Sequence, residues 1–288
     1  MTEADYPALY NAAGRLSQSS QRKFFAALLA HLILLTVGAA LSVLNSPCAA
    51  VAWLQAAVLL VALGCSILLF NTRPEKVWYS ARALAESVKT LSWRYVCQAE
   101  PFNTAHDVSK SLFVEKLKLV LKQNQDIAGK FTDHLNGSQL TPAMEAIRGK
   151  TLLERKLTYL DFRITDQLNW YSDKSKSNGL KGAVFFWILI LLNCIAVGFA
   201  LAKIKYAYAP IWPTDIFIAA GACVLTWMQA KRFAELSSAY ALTAVEITFL
   251  KDDALKPPDE KSFSDFVGDA ENAFSREHTQ WIARKDMA

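Results

Sequence analysis

The chain has 288 residues, 53% of them apolar and 20% charged, with a formal net charge of +5. Those totals conceal an uneven layout, because the charge is absent from four stretches and concentrated between them. The pattern excludes an ordinary soluble globule, and the excess of positive charge reads as a topology signal and an attraction to anionic lipid, not as nucleic-acid binding.

Residues 1–23 carry Arg15, Arg22 and Lys23 ahead of the first charge-free run, Phe24 to Leu44. A five-residue link, "NSPCA", leads to the second run, Ala50 to Phe70. At about 1.5 Å per residue each run spans a hydrocarbon core of roughly 30 Å. The first run is too long for a signal-peptide core and is followed at once by a second, so it is expected to stay as a membrane span. After Pro74, "WYSARALAESVKTLSWRYVCQAEPF" places Val77, Ala81, Leu84, Val88, Leu91 and Tyr95 on one helical stripe. Pro74 is expected to kink the helix or to restart it near Thr72.

A middle helix is expected with Thr104 as its cap and with Phe113, Leu117, Val120, Ile127, Phe131 and Leu135 on one face, interrupted at Asn124. Thr141-Pro142 offers another helix start. Leu153, Leu157, Leu160, Ile164, Leu168 and Tyr171 form a further stripe. The third span is Gly182 to Leu201, and the fourth runs from Ile211 to Ala230 with Asp215 at the interface. From the fourth span to about Lys251 one continuous helix of roughly 36 residues is expected, about 54 Å long. "KPPDEKS" ends it before a final amphipathic helix.

Two hairpins of this kind suggest a duplication. A shift of 158 carries Ser17, Ser19 and Lys23 onto Ser175, Ser177 and Lys181, the first hairpin onto the second, and "ARAL" at 81–84 onto "AYAL" at 239–242. The expected fold is an all-α membrane protein: two tandem transmembrane helical hairpins, with long helices forming a cytosolic bundle. Its parts are a first unit over 1–102, an inserted helical segment over 103–150, a second unit over 151–255 and a C-terminal helix over 256–288. Of the 31 Lys and Arg, 29 lie on the side shared by both termini and residues 71–181, so both termini are expected in the cytoplasm.

Chemistry-bearing motifs are sparse. His31, His106, His134 and His278 have no metal-ligand spacing, the five cysteines have no CxxC spacing, and the 11 glycines form no phosphate cradle. No cofactor, metal or catalytic residue is expected. Within the spans His31, Gln55, Asn193 and Thr226 are polar; they serve interhelical hydrogen bonding or face a weakly polar pore, with His31, Gln55 and Asn193 the pore-facing candidates. No span carries an acid or base buried at its centre apart from His31, which disfavours an ion-coupled transporter. Outside the membrane, Trp78, Arg82, Glu86, Lys89, Trp93, Arg94 and Tyr95 form a charged and aromatic cluster. It is either a solvated helix face or a set of residues paired with the helix that holds Arg163, Gln167 and Trp170.

These residues carry a resemblance. Trp78, Arg82, Ala85, Glu86, Lys89, Trp93, Tyr95 and Phe102 resemble the post-membrane segment of SLATT proteins, the SMODS- and SLOG-associating two-TM effector domains. Tyr159, Arg163, Gln167, Trp170, Tyr171 and Lys174 resemble the segment preceding the second hairpin of tandem members. "KRFAELSSAYALTAVEITFL" departs from the pattern, lacking the Trp-Arg-Tyr group. The resemblance implies a homo-oligomeric effector in the bacterial inner membrane, acting in antiviral or conflict systems by a pore or membrane damage. It also implies a nucleotide-sensing or nucleotide-synthesising partner protein. On this reading Glu86→Ala with Arg163→Ala suppresses toxicity. The alternative is a non-conducting scaffold that recruits a cytosolic partner.

Overall fold

A computed structural model describes residues 1–44, 46–130, 137–206 and 208–285; the side chains of Glu3 and of residues 276–285 are outside that description, as are Phe131, His134 and Leu135. Among the described residues the regular structure is helical. In chain order the helices are α1 (Ala8–Val43), α2 (Ala49–Thr72), α3 (Pro74–Val96), α4 (His106–Gln123), α5 (Gln125–Ala128), α6 (Pro142–Arg148), α7 (Leu152–Tyr159), α8 (Asp166–Lys205), α9 (Thr214–Lys231), α10 (Phe233–Asp253) and α11 (Glu260–Lys285). A π-helical turn, Leu160–Thr165, joins α7 to α8.

Two compact units result. One comprises residues 1–21, 74–170 and 243–288, the other residues 22–73 and 171–242. Helices α1, α8 and α10 contribute to both.

The first unit is a soluble-type bundle. The α3 stripe is buried as expected at Val77, Ala81, Leu84, Val88 and Tyr95, against Phe102, Phe113, Leu117 and Ile127 of the following segment. Local chemistry fixes the helix ends. Thr141 caps α6 by accepting from the Met144 N–H, with Pro142 following. Thr151 and Glu154 cap α7 reciprocally, in a capping box. At α4 the expectation fails: Ala105 is the cap residue and offers no side-chain bond, while Thr104 Oγ1 pairs with Ser109 Oγ at 2.9 Å. Asn124 does interrupt the helix between α4 and α5 and returns its Nδ2–H to the Val120 carbonyl.

The Leu153–Tyr171 stripe is only half right. Ile164 and Tyr171 are buried, but Leu153 is 62% exposed and Leu157 42% exposed. The buried face of α7 instead carries Arg155, Lys156 and Tyr159. The cause is the π turn, which inserts extra chain into the helix and changes its phase between the two ends of the stripe.

The second unit holds the charge-free runs. Four helical segments are long and apolar enough to cross a membrane. Their outer surface is built of large apolar side chains, with Trp53 77%, Leu60 66% and Trp187 66% exposed, a surface suited to lipid. Inside the unit α1 meets α2 where Gly38 approaches Leu59, and α8 meets α9 through the stacked rings of Phe199 and Phe217. Nearer the chain's charged segments α8 meets α10, where Ser175 and Ser237 donate reciprocally to each other's carbonyls at 2.8 and 2.9 Å. Phe185 stacks on Phe233 with ring centroids 5.5 Å apart.

The fourth span does not continue unbroken to Lys251. Arg232 takes a left-handed conformation, φ 52°, and ends α9 by donating its N–H to the Met228 carbonyl. Arg73 ends α2 in the same way, φ 39°, donating to the Leu69 carbonyl. The two breaks are equivalent to within one residue under the 158-residue shift, as the expected duplication would place them. Pro74 announces the first break, whereas no glycine or proline announces the second. A β-branched residue tolerates this conformation poorly, so Arg232→Gly is expected to exceed Arg232→Val in stability by about 1–2 kcal/mol. Both variants lose the Arg232–Glu235 ion pair, so the comparison isolates the backbone. Equal thermal midpoints in detergent would sink that account of the break.

Candidate functional site

The sequence-predicted cluster lies in the first unit, and its centre is a buried carboxylate that sequence reasoning missed. Glu271 of α11 is fully buried and accepts four hydrogen bonds. Arg163 grips it with both prongs, Nε to Oε1 at 2.8 Å and Nη2 to Oε2 at 2.7 Å. Tyr159 Oη donates to Oε1 at 3.0 Å and Thr90 Oγ1 to Oε2 at 2.9 Å. Three segments, α3, the α7–π turn and α11, are thereby joined at one point. Burial opposes the Arg163 charge, but the Glu271 carboxylate outweighs it and holds the guanidinium pKa above its ordinary value. The Tyr159 phenol is pushed well above its usual pKa, by burial first and then by Glu271. Arg163 also lies over the Phe274 ring, 4.6 Å from its centroid, while its Nη1 has no hydrogen-bond partner among the described residues.

Around this pair the predicted residues divide into groups. Trp93 is buried, donates its indole N–H to Tyr6 Oη at 2.8 Å and meets Tyr159 edge-on at 5.6 Å. Lys89 lies within the field of Arg163; burial lowers its pKa, Arg163 lowers it further, and Glu86, Asp166 and Glu271 oppose the shift. Arg82 lies over the Trp170 ring, 5.8 Å from its centroid, which realises one of the pairings expected between the two segments. Trp78 is buried and stacks on Tyr79 at 4.4 Å. Gln167 is buried and its Nε2 lies 3.3 Å from Asp166 Oδ2. Arg94 turns instead to α11, donating to the Gly268 carbonyl at 3.0 Å and to Asn272 Oδ1 at 2.7 Å. The pairing of Arg163 that carries the site is therefore with Glu271, not with an α3 carboxylate.

A second arginine organises the turn after α3. Arg148 is 4% exposed and donates to the carbonyls of Tyr95 at 2.6 Å and Phe102 at 2.9 Å, and to Ser109 Oγ at 3.0 Å. It also covers the Tyr95 ring at 4.7 Å, while Tyr95 Oη donates to Glu145 Oε1 at 2.9 Å. Arg155 reaches the Cys97 carbonyl at 2.7 Å and the Glu260 carboxylate. One sequence signal pointed to Glu271: it shares the α11 stripe with the buried Phe263, Val267, Ala270 and Phe274, and a carboxylate on an apolar stripe needs a buried cation.

The membrane candidates do not converge. His31 Nδ1 lies 3.0 Å from the Ala62 carbonyl oxygen and 3.3 Å from Ser66 Oγ, tying α1 to α2. Gln55 Nε2 donates to the Gly38 carbonyl at 3.3 Å across the same pair of helices. Asn193 Nδ2 donates at 2.9 Å to the Leu189 carbonyl of its own helix, as Thr226 does to Ala222. These bonds match the interhelical alternative for His31 and Gln55. Among the described residues no group of three or more His, Cys, Asp or Glu is placed to hold a metal ion.

Both Glu271 oxygens are occupied, each by one Arg163 nitrogen and one hydroxyl, which suits a structural tie better than proton transfer. Comparison with known proteins adds the following. Residues 7–156 match the family model of the SMODS and SLOG-associating 2TM effector domain 3. Residues 159–281 match that of the SMODS and SLOG-associating 2TM effector domain 1. Neither a curated protein nor a solved structure matches the chain. The boundary between the two matched segments falls between Lys156 and Tyr159, just before the π turn, and the second match takes in most of α11, including Glu271.

Proposed function

The chain belongs to the SLATT family, as a multi-pass membrane protein with two SMODS- and SLOG-associating two-TM effector domains in tandem, and on that premise we propose that it is an oligomeric membrane effector. In this reading it serves a bacterial antiviral or conflict system. Once triggered, it opens a pore in the inner membrane or disrupts it, and the cell is arrested or killed without enzymatic chemistry. The trigger arrives through a nucleotide-sensing or nucleotide-synthesising partner protein on the cytoplasmic side, where both termini reside.

The observation that carries this reading is the duplicated hairpin. Two pairs of lipid-compatible helices, each ended by the same left-handed break, give the chain the parts of a membrane-acting device. Trp78, Arg82, Glu86, Lys89, Trp93, Arg94, Tyr95, Arg163, Gln167 and Trp170 form its coupling and oligomerisation network, to which the structure adds Glu271 as the carboxylate that Arg163 grips. The organisation over 1–102, 103–150, 151–255 and 256–288 stands as part of the proposal. A scaffold that recruits a cytosolic partner is the second reading, and one observation favours it: His31 Nδ1, Gln55 Nε2 and Asn193 Nδ2 each lie within hydrogen-bond distance of a backbone carbonyl rather than grouped along a water path.

Membrane potential, followed with a voltage-sensitive dye during induction in bacterial cells, separates the two. Depolarisation is expected with the full chain and not with a chain truncated before Gly182. If the abundant, inserted full chain leaves the potential unchanged even when co-expressed with its synthase and sensor partners, the pore reading fails and the scaffold takes its place.

A further inference from the structure

The membrane unit contains a feature that the proposed output does not use. A groove of about 470 Å³ is walled by α1, α8 and α9, lined by Leu32, Thr36, Phe185, Cys223, Val224 and Trp227. Its α1 rim is the i, i+4, i+8 series Leu29, Ile33 and Val37, which is 44%, 53% and 40% exposed, while Leu32 on the floor is 7% exposed. The polar atoms on its floor are turned onto one another: Thr36 Oγ1 and Cys223 Sγ both donate to the Leu32 carbonyl, at 3.1 and 3.3 Å. The surface left facing the groove is therefore apolar. All three walls belong to helices apolar enough to cross a membrane, so the groove opens at the depth of hydrocarbon.

One end carries a cation. Lys231, one turn beyond Trp227, lies over the Phe25 ring at 3.3 Å and over the Trp227 ring at 4.9 Å. Phe25 lies one turn from Leu29, so the ammonium sits where the groove reaches the interface. Lys181 is within electrostatic reach of it. An apolar slot ending in two like charges is complementary to a molecule with an apolar tail and an anionic head. The bulky rim residues leave an elongated space, which a flexible chain fills better than a second helix seeking close backbone approach. In volume the groove is about three times the roughly 150 Å³ apolar cavity that holds a benzene molecule.

We infer that this groove binds one anionic phospholipid per chain, an acyl chain lying between α1 and α9 and the phosphate paired with Lys231 and Lys181. The site ties the effector to the anionic lipid content of its membrane.

Native mass spectrometry of the full-length chain, released from detergent with phosphatidylglycerol or with phosphatidylcholine of the same acyl chains, tests it. The wild type is expected to retain one phosphatidylglycerol. Lys231→Gln should weaken retention about ten- to hundredfold, the worth of one charge-assisted hydrogen bond, down to the level of phosphatidylcholine. Ala220→Phe, which fills the groove, should retain neither lipid. Because that variant can fail to fold, alkylation of Cys223 by N-ethylmaleimide in the wild type gives an independent reading, with Cys194 as internal control. Phosphatidylglycerol should slow modification of Cys223 and leave Cys194 unaffected. Equal retention of the two lipids by the wild type, unprotected Cys223, or a lipid-free dimer occupying the groove would each overturn the inference.

Discussion

Glu271→Gln is expected to lower the thermal midpoint of the detergent-solubilised chain more than any surface substitution, with Arg163→Met close behind. Each removes one member of a buried, bidentate pair and leaves the other desolvated and uncompensated, a loss of about 3–5 kcal/mol. The combination Arg163→Met with Glu271→Leu should recover much of that loss, because no charge is then stranded. Recovery should stop short of the wild type, since Tyr159 Oη and Thr90 Oγ1 lose their common acceptor at about 1–3 kcal/mol for each group left unsatisfied. Intrinsic fluorescence reports the transition, with Trp93 in contact with Tyr159. Simple additivity of the two single losses in the double variant would show that the residues are not coupled. In induced cells each single variant should also suppress killing at equal membrane abundance. That makes Glu271 a more informative partner for Arg163 than Glu86.

Arg148→Met should be nearly as damaging, for a different reason. The guanidinium is the charged donor shared by the buried carbonyls of Tyr95 and Phe102 and by Ser109 Oγ, and methionine fills its volume while donating nothing. The Tyr95 carbonyl keeps the Gln98 N–H and the Phe102 carbonyl keeps the Ser109 hydroxyl, so what is lost is two or more charge-assisted bonds, on the order of 3–5 kcal/mol. Arg148→Lys should rescue little, because a single ammonium lacks the planar fork that reaches separated oxygens. The visible consequence is local: the turn between α3 and α4 opens, and chymotrypsin cleaves after Tyr95 or Phe102 before it cleaves elsewhere. Cleavage there no faster than in the wild type would remove Arg148 from this role.

The spans were legible because lipid imposes a requirement that composition alone reveals, a run of about 20 residues without charge. The α3 stripe was legible because that helix is regular from Pro74 to Val96. What stayed hidden depends on distance along the chain or on departures from regularity. Arg163 and Glu271 are 108 residues apart, and nothing local to either names the other. Arg94 was placed among the candidates, yet its acceptors are a backbone carbonyl and an amide on α11, groups that carry no pattern. The break at Arg232 has no glycine or proline to mark it. The family resemblance located the cluster through its aromatic spacing, and the geometry then supplied the carboxylate that the spacing omits.

The π turn has a consequence for chain length. Each residue of an α-helix advances its phase by about 100° and its axis by about 1.5 Å. Between Leu160 and Thr165 the helix accommodates surplus chain without breaking, so Arg155 and Tyr159 before the turn and Ile164 within it are all buried. Deleting Phe162 would leave every cap and every charge in place and still turn Arg163 by about 100° relative to α7, away from its carboxylate. The tie is thus encoded in a count of residues as much as in their identity, and a shortened chain would lose it without losing any of its chemistry.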